Sequence, residues 1–362
     1  MKKPAAITVI ILLVFISFSF QACIPGNRKD EFQLLEKMGS GINLGNSLDT
    51  VAGKHRDELT SPEEFETFWH NPPVNGTWFS AVKANGFDTV RIPVSWGEHQ
   101  DGEGVIDSAW MERVREVVDL ALANDLYVIL NTHHEDWLMP TYDREEEDSQ
   151  RLCRIWEQIS REFAEYDERL LFEGMNEPRL IDTDLEWGTG TEESRQVIND
   201  LNRRFVDTVR SSGGNNATRY LLITDYAAKY KKEAMEALDY SDYDNVIVSI
   251  HCYAPHNFTS DEKGEKKWSR KKEHDTESID TFAKDLKKIF INKGIPVLVT
   301  EYGCNKRKKG DDREDWAKYF TRRLSDIGVH CIWWDNGDTK ALIDRETGEV
   351  LDRELIDIIT HR

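Results

Sequence analysis

MERVREVVDLALANDLYVILNTHH, the stretch from Met111 to His134, reads as one complete structural unit. Met111, Val114, Val118 and Ala121 recur at three- and four-residue steps, which places them on one face of a helix. The run Tyr127-Val128-Ile129-Leu130-Asn131 that follows has the length and apolar character of a buried strand, and it gives way at once to His133 and His134. Runs of the same kind recur at 42–44, 89–93, 127–131, 170–175, 220–224, 246–250, 297–300 and 329–334. They alternate with longer segments of helical period, the pattern of parallel βαβ units. Helices are expected at about 148–166, 193–211, 279–292 and 313–327. Ser61-Pro62-Glu63-Glu64 opens another, since a capping serine, a proline at the first helical position and a reciprocal glutamate make a capping box. Eight strands with intervening helices predict an α/β fold, a closed (β/α)8 barrel in a single domain. An open doubly wound sheet would carry GxGxxG after its first strand. Here Gly39-Ser40-Gly41 precedes that strand instead.

The chain has 362 residues, of which 1–23 read as an export signal, 24–36 as a short N-terminal segment and 37–362 as the barrel. Lys2 and Lys3 precede a largely apolar stretch that reaches small residues at Ala22 and Cys23, too short and too N-terminal for an ordinary spanning helix. Phe20-Gln21-Ala22-Cys23 resembles a bacterial lipobox, with Gln21 where a small residue is usual, so Cys23 is a candidate lipidation site. The expectation is export, with a lipid anchor at the cell envelope as the only tie to a membrane, and otherwise a periplasmic or extracellular protein. Cys153, Cys252, Cys304 and Cys331 show no CxxC pair and no zinc-type spacing. They read as buried small hydrophobes, with room for one disulfide. A net charge of −20 would repel phosphate backbones, which argues against a nucleic-acid partner and suits a neutral polymer. A monomer without cofactor or metal is expected.

Barrels place reacting groups at the C-terminal ends of their strands, so polar residues there can be named before any substrate is known. Asn46 and Asp49 follow the first expected strand, Arg91 lies in the second, and His133 and His134 follow the third. Asn176 and Glu177 follow the fourth, His251 and Tyr253 the sixth, Glu301 and Tyr302 the seventh, and Trp334 ends the eighth. Any one of these could be a satisfied core or surface group. So many at one mouth are harder to explain without function, because each desolvated polar group costs free energy unless paired. Glu177 and Glu301 leave strands four and seven and can approach across the mouth. Glycoside cleavage needs such a pair, one carboxyl protonated to release the leaving oxygen and one ionised.

The residues resemble glycoside hydrolase family 5, the cellulase family, in order along nearly the whole expected mature chain. Met38-Gly39-Ser40-Gly41-Ile42-Asn43-Leu44-Gly45-Asn46 is similar to its first-strand motif, and Val90-Arg91-Ile92-Pro93-Val94-Ser95-Trp96 to its second. Asn131-Thr132-His133-His134, Met175-Asn176-Glu177-Pro178, His251-Cys252-Tyr253, Thr300-Glu301-Tyr302-Gly303 and Trp333-Trp334-Asp335-Asn336-Gly337 are similar to its later ones. The resemblance implies a retaining endo-hydrolase of β-1,4-linked glucans, whether cellulose, mixed-linkage glucan or xyloglucan. It makes Glu177 the acid/base and Glu301 the nucleophile. It also implies that Arg91 and Tyr253 hold Glu301, that His251 sits beside Glu177, that Asn176 meets the sugar 2-OH, and that His133, His134 and Trp334 line the cleft. Asn46 and Asp49 are carried with the substrate-binding set. Trp137, Trp187 and Trp268 lie where they could flank a cleft or merely pack loops, while Trp110, Trp156 and Trp316 fall in helices. The segment 263–274 is expected to be solvated surface. Three alternatives stand beside this reading: an endo-β-mannanase on the same fold, a metal-dependent barrel hydrolase suggested by the histidines, and a non-catalytic glycan-binding lipoprotein.

Overall fold

The computed structural model describes residues 28–241, 243–306 and 311–361. The expected signal and Cys23 lie outside them. Eight parallel strands close into one barrel in sequence order. They are β1 (Gly41–Asn43), β2 (Thr89–Ile92), β3 (Tyr127–Asn131), β4 (Leu170–Glu173), β5 (Leu221–Lys229), β6 (Val246–His251), β7 (Val297–Tyr302) and β8 (His330–Trp333). The ring closes where Gly41 and Ile42 of β1 pair with Ile332 and Trp333 of β8.

Two apolar layers hold it. The larger lies between strands and helices, where the helix Ser108–Ala123 buries Trp110, Val114, Val117, Val118 and Ala121. Trp110, Trp156 and Trp316 are all fully buried in this layer. The smaller fills the barrel itself, with Ile129, Leu171, Leu222, Ile247, Leu298 and Ile332 pointing inward from their strands. Leu34, Leu35 and Met38 join that inner cluster from the helix Lys29–Met38. Of the short N-terminal segment expected at 24–36, residues 28–36 are described. From Lys29 onward its helix seals the floor.

Other boundaries move for physical reasons. The helix Tyr142–Glu162 begins before the expected 148, and Glu273–Ile289 before the expected 279. Their first turns are acidic, which suits the positive end of a helix but shows no apolar period to detect. The capping box at Ser61 is formed, and Glu64 accepts from the Ser61 backbone at 3.1 Å. β5 runs five residues past its expected end at 224 because Ala227 and Ala228 both take left-handed backbone angles, φ 56° and 45°, and the register with β6 shifts before Lys229 resumes pairing. No disulfide forms among the four described cysteines, all of which are free. Among the described residues no helix is long and apolar enough to cross a membrane.

Candidate active site

The C-terminal ends of the strands surround a cavity of about 660 Å³. Beneath it lies a buried polar network centred on Arg91, which is fully buried in β2. The guanidinium donates to Glu173 at 2.6 Å, Asn43 at 3.0 Å, Asn176 at 2.8 Å and Glu301 at 2.8 Å. Glu173 in turn accepts from Ser249 at 2.6 Å and Asn131 at 3.1 Å. A permanent cation can lie this deep only because two carboxylates and several hydrogen bonds replace its water.

Above this network the two expected carboxylates meet. Glu301 ends β7 and receives a second donor, the Tyr253 hydroxyl, at 2.9 Å. Glu177 receives His251 Nδ1 at 2.8 Å, and the same nitrogen stands 3.6 Å from Glu301. One carboxylate oxygen from each glutamate and the His251 nitrogen lie within 4.8 Å of one another. Burial is the largest influence on both carboxyls and pushes each upward. At Glu301 the charges of His251 and Arg91 and the Tyr253 hydrogen bond oppose that push, the charge of Glu177 adds to it, and the net direction is up. At Glu177 the hydrogen bond and charge of His251, joined by the charges of Arg179 and His134, outweigh burial, and the net direction is down. That polarity is the reverse of an acid facing an ionised nucleophile. His251 Nε2 is buried without a partner among the described residues. Glu301 has Arg91 and Tyr253 as donors, whereas Glu177 has the His251 contact and, at longer range, the charges of Arg179 and His134.

Of the other residues singled out by sequence, His133, His134, Asn176 and Trp334 line the cavity with the glutamates, His251 and Tyr253. The Trp334 ring lies nearly parallel to that of His133, with centroids 5.6 Å apart and 6° between planes. Gly45 makes room for it, since a Cβ there would stand 2.7 Å from the indole. Trp333 is core and donates to the Lys340 carbonyl. Arg91, Asp49 and Asn46 are not among the cavity's lining residues. Asp49 is fully buried, accepts from the Ser47 backbone at 2.8 Å, and leaves its other oxygen 4.0 Å from His133 Nε2. Asn46 has a left-handed backbone, φ 59°, and its carbonyl accepts from Asn71.

Trp187 lines the cavity and is 53% exposed, whereas Trp268 is buried and donates to the Asp275 carbonyl. Trp137 packs under Arg151. Cys252, between His251 and Tyr253, is fully buried away from the cavity.

Sequence reading missed the wall formed by Ala227, Ala228, Lys229 and Tyr230, together with His256 and Ser260. It also missed Trp69, which meets His134 edge-on with centroids 5.6 Å apart. None of these follows an expected strand end directly, so position offered no signal. Asp49, His133 and His134 bring one donor atom each within 4.8 Å, as metal ligands would. Asn131, whose oxygen accepts from the Val94 amide, turns its NH2 to His133 Nδ1 at 3.1 Å. That leaves the His133 proton on Nε2, facing Asp49, with no lone pair there for a cation.

A closed barrel with two carboxylates at the exits of β4 and β7, one tied to arginine and tyrosine and the other to a histidine, is the site of a barrel glycosidase. The chain belongs to the cellulase family, glycosyl hydrolase family 5, whose model matches residues 54–340. It is 37% identical over 351 residues to Endoglucanase A of Clostridium longisporum, covering 95% of this chain and 68% of that one. A broad specificity endoglucanase from Ruminococcus champanellensis with bound cellotriose superimposes with a TM-score of 0.86 at 38% identity, covering 91% of this chain and 97% of the other. A xyloglucan-specific endo-β-1,4-glucanase from a metagenomic library, in complex with cellotriose, does so with a TM-score of 0.87 at 34% identity, covering 92% and 99%.

Proposed function

We propose that this chain is a retaining endo-hydrolase of β-1,4-linked glucans in which Glu177 is the acid/base and Glu301 the nucleophile. The observation that carries the roles is the unequal support of two adjacent carboxylates. Glu301 has two dedicated donors, Arg91 and Tyr253, and Glu177 has only His251. A separation near 5 Å, against roughly 6.5 Å or more, is the spacing at which a carboxylate attacks sugar directly and no water fits between; oxygens within 4.8 Å agree with the shorter case.

In the first step a Glu301 oxygen bonds to the anomeric carbon as the glycosidic bond breaks, and the Glu177 proton goes to the departing oxygen. In the second, Glu177 takes a proton from water, the water oxygen bonds to the same carbon, and Glu301 leaves as carboxylate. Asn176 supports both steps. Its oxygen is engaged by Arg91, which leaves its NH2 to donate to the sugar 2-OH. Trp334 offers a ring face to the sugar in the same subsite. Kinship with broad-specificity and xyloglucan-specific endoglucanases favours glucans, plain or branched, over mannan.

Export fits this reading, with Cys23 acylated and a monomeric barrel carried at the envelope. The deciding experiment is product analysis on β-1,4-glucan, mixed-linkage glucan, xyloglucan and β-mannan. Glucan oligosaccharides should appear with the wild type and vanish with Glu177→Gln and with Glu301→Gln. Azide added to Glu301→Gly with an activated glycoside should give the inverted glycosyl azide, and added to Glu177→Ala the retained one. Exchange of those two stereochemical outcomes would reverse the roles. Release from mannan alone would overturn the substrate, and release from no polymer would leave a glycan-binding protein.

A further inference from the structure

Lys229 stands in the cleft wall without an assigned task. It ends β5, which lies between β4 and β6 in the ring, the strands that carry Glu177 and its partner His251. In the ladder Lys229 is the direct Cα partner of His251. The chain reaches this position through two consecutive alanines in the left-handed region, a conformation that residues with a Cβ adopt mainly where the surroundings impose it. Two contacts impose it here. The Ala227 amide donates to the carbonyl of Pro178, the residue after Glu177, at 2.9 Å, and the Lys229 amide donates to the buried Asp225 carboxylate at 2.6 Å. The bulge is thereby keyed to the acid/base segment.

The half-buried Lys229 side chain extends between two aromatic faces, its Nζ lying 5.7 Å from the Trp187 ring centroid and 6.0 Å from that of Tyr230. No oxygen of the described residues accepts a hydrogen bond from that ammonium. Burial lowers its basicity. An ammonium beside a cleft, held between rings and lacking an acceptor, has up to three donors free for a ligand. Trp187, which also carries Arg179 over its ring at 4.4 Å and is 53% exposed, supplies apolar surface next to those donors. The opposite rim, formed by Trp334, His133, His134 and Trp69, leaves the β8 and β1 to β3 side. The proton donor faces the departing sugar, so the β4 to β6 rim borders the leaving-group half of the cleft.

We propose that Lys229 is a specificity-determining residue that hydrogen-bonds the hydroxyls of the glucosyl unit on the leaving-group side while Trp187 takes its ring face. This rests on the assignment of Glu177 as acid/base.

The test compares cellotetraose, which fills both halves of the cleft, with β-cellobiosyl fluoride, whose leaving group is a single atom. Losing a hydrogen bond to a charged donor is worth about 10- to 100-fold. In Lys229→Met the ratio of kcat/KM for cellotetraose to that for the fluoride should fall by that much, mainly through KM. The ratio of transfer to hydrolysis with cellobiose as acceptor should fall with it, and Lys229→Arg should recover most of both. Lys229→Gln serves equally if the methionine variant does not fold, because both readouts are ratios within one enzyme. Either ratio staying within about twofold of wild type overturns the proposal. A wild type that cleaves neither substrate overturns the functional reading itself and this inference with it.

Discussion

Glu173, Asn43, Asn176 and Glu301 all accept hydrogen bonds from the guanidinium of Arg91, so a residue outside the cavity lining ties β1, β4 and β7 to β2. Arg91 and Glu173 are fully buried. Removing one partner of such a pair leaves an uncompensated charge, which costs about 3–5 kcal/mol. Arg91→Met should therefore shift the urea midpoint by an amount equivalent to that loss. Arg91→Met combined with Glu173→Gln should recover part of it, because the orphaned charge is then gone. A single variant within about 1 kcal/mol of wild type would show that water or a rearranged network takes over the role. The motif containing Arg91 was legible in sequence, as was its link to Glu301. Glu173 was not, since it sits inside the expected strand at 170–175, where a carboxylate has no reason to stand until its arginine is seen.

At the scale of elements, the turn Gly97–His99 is pinned to the helix Ser108–Ala123 by the His99 imidazole. That ring stacks on Trp110 with centroids 3.6 Å apart and 4° between planes, and meets Phe65 edge-on at 4.5 Å. Burial, and then the charge of Arg56, push its basicity down to about 3. The folded value lies below the ordinary one of about 6.5, so the neutral ring contributes fully above that pH and the contribution drains as pH falls toward 3. At roughly 1.4 kcal/mol per pH unit, a drop of two units below 6.5 costs a few kcal/mol. Thermal scans should show the Tm of the wild type falling between pH 6.5 and 4.5 more steeply than that of His99→Phe, which keeps the stacked ring without the titration. Parallel slopes would assign the acid sensitivity to other groups. The left-handed alanines of β5 belong to this scale too. Propensity ends that strand near 224, and only the hydrogen bonds to Pro178 and Asp225 carry it on to Lys229.

For the whole molecule, the helix Lys29–Met38 closes the floor of the barrel, opposite the cavity at the strands' C-terminal ends. A tether entering through this helix would hold the open cleft away from its point of attachment. Cells fed an alkyne-bearing fatty acid should label the wild type in the membrane fraction and leave Cys23→Ser unlabelled and soluble. An unlabelled wild type would remove the anchor and leave export alone.

The sequence by itself determined the closed barrel, its strand order, the family motifs and the two glutamates, because strand burial and helix amphipathicity are local periodic signals and the motifs follow each strand directly. Tertiary structure alone decided that the first helix is the barrel's floor, that Asp49 stays below the cavity, and that Lys229 enters it. Those placements depend on contacts between residues far apart in the chain. An acidic first turn, a strained bulge and an unpartnered ammonium leave no period to read, and each exists only because distant neighbours supply its hydrogen bonds or withhold them.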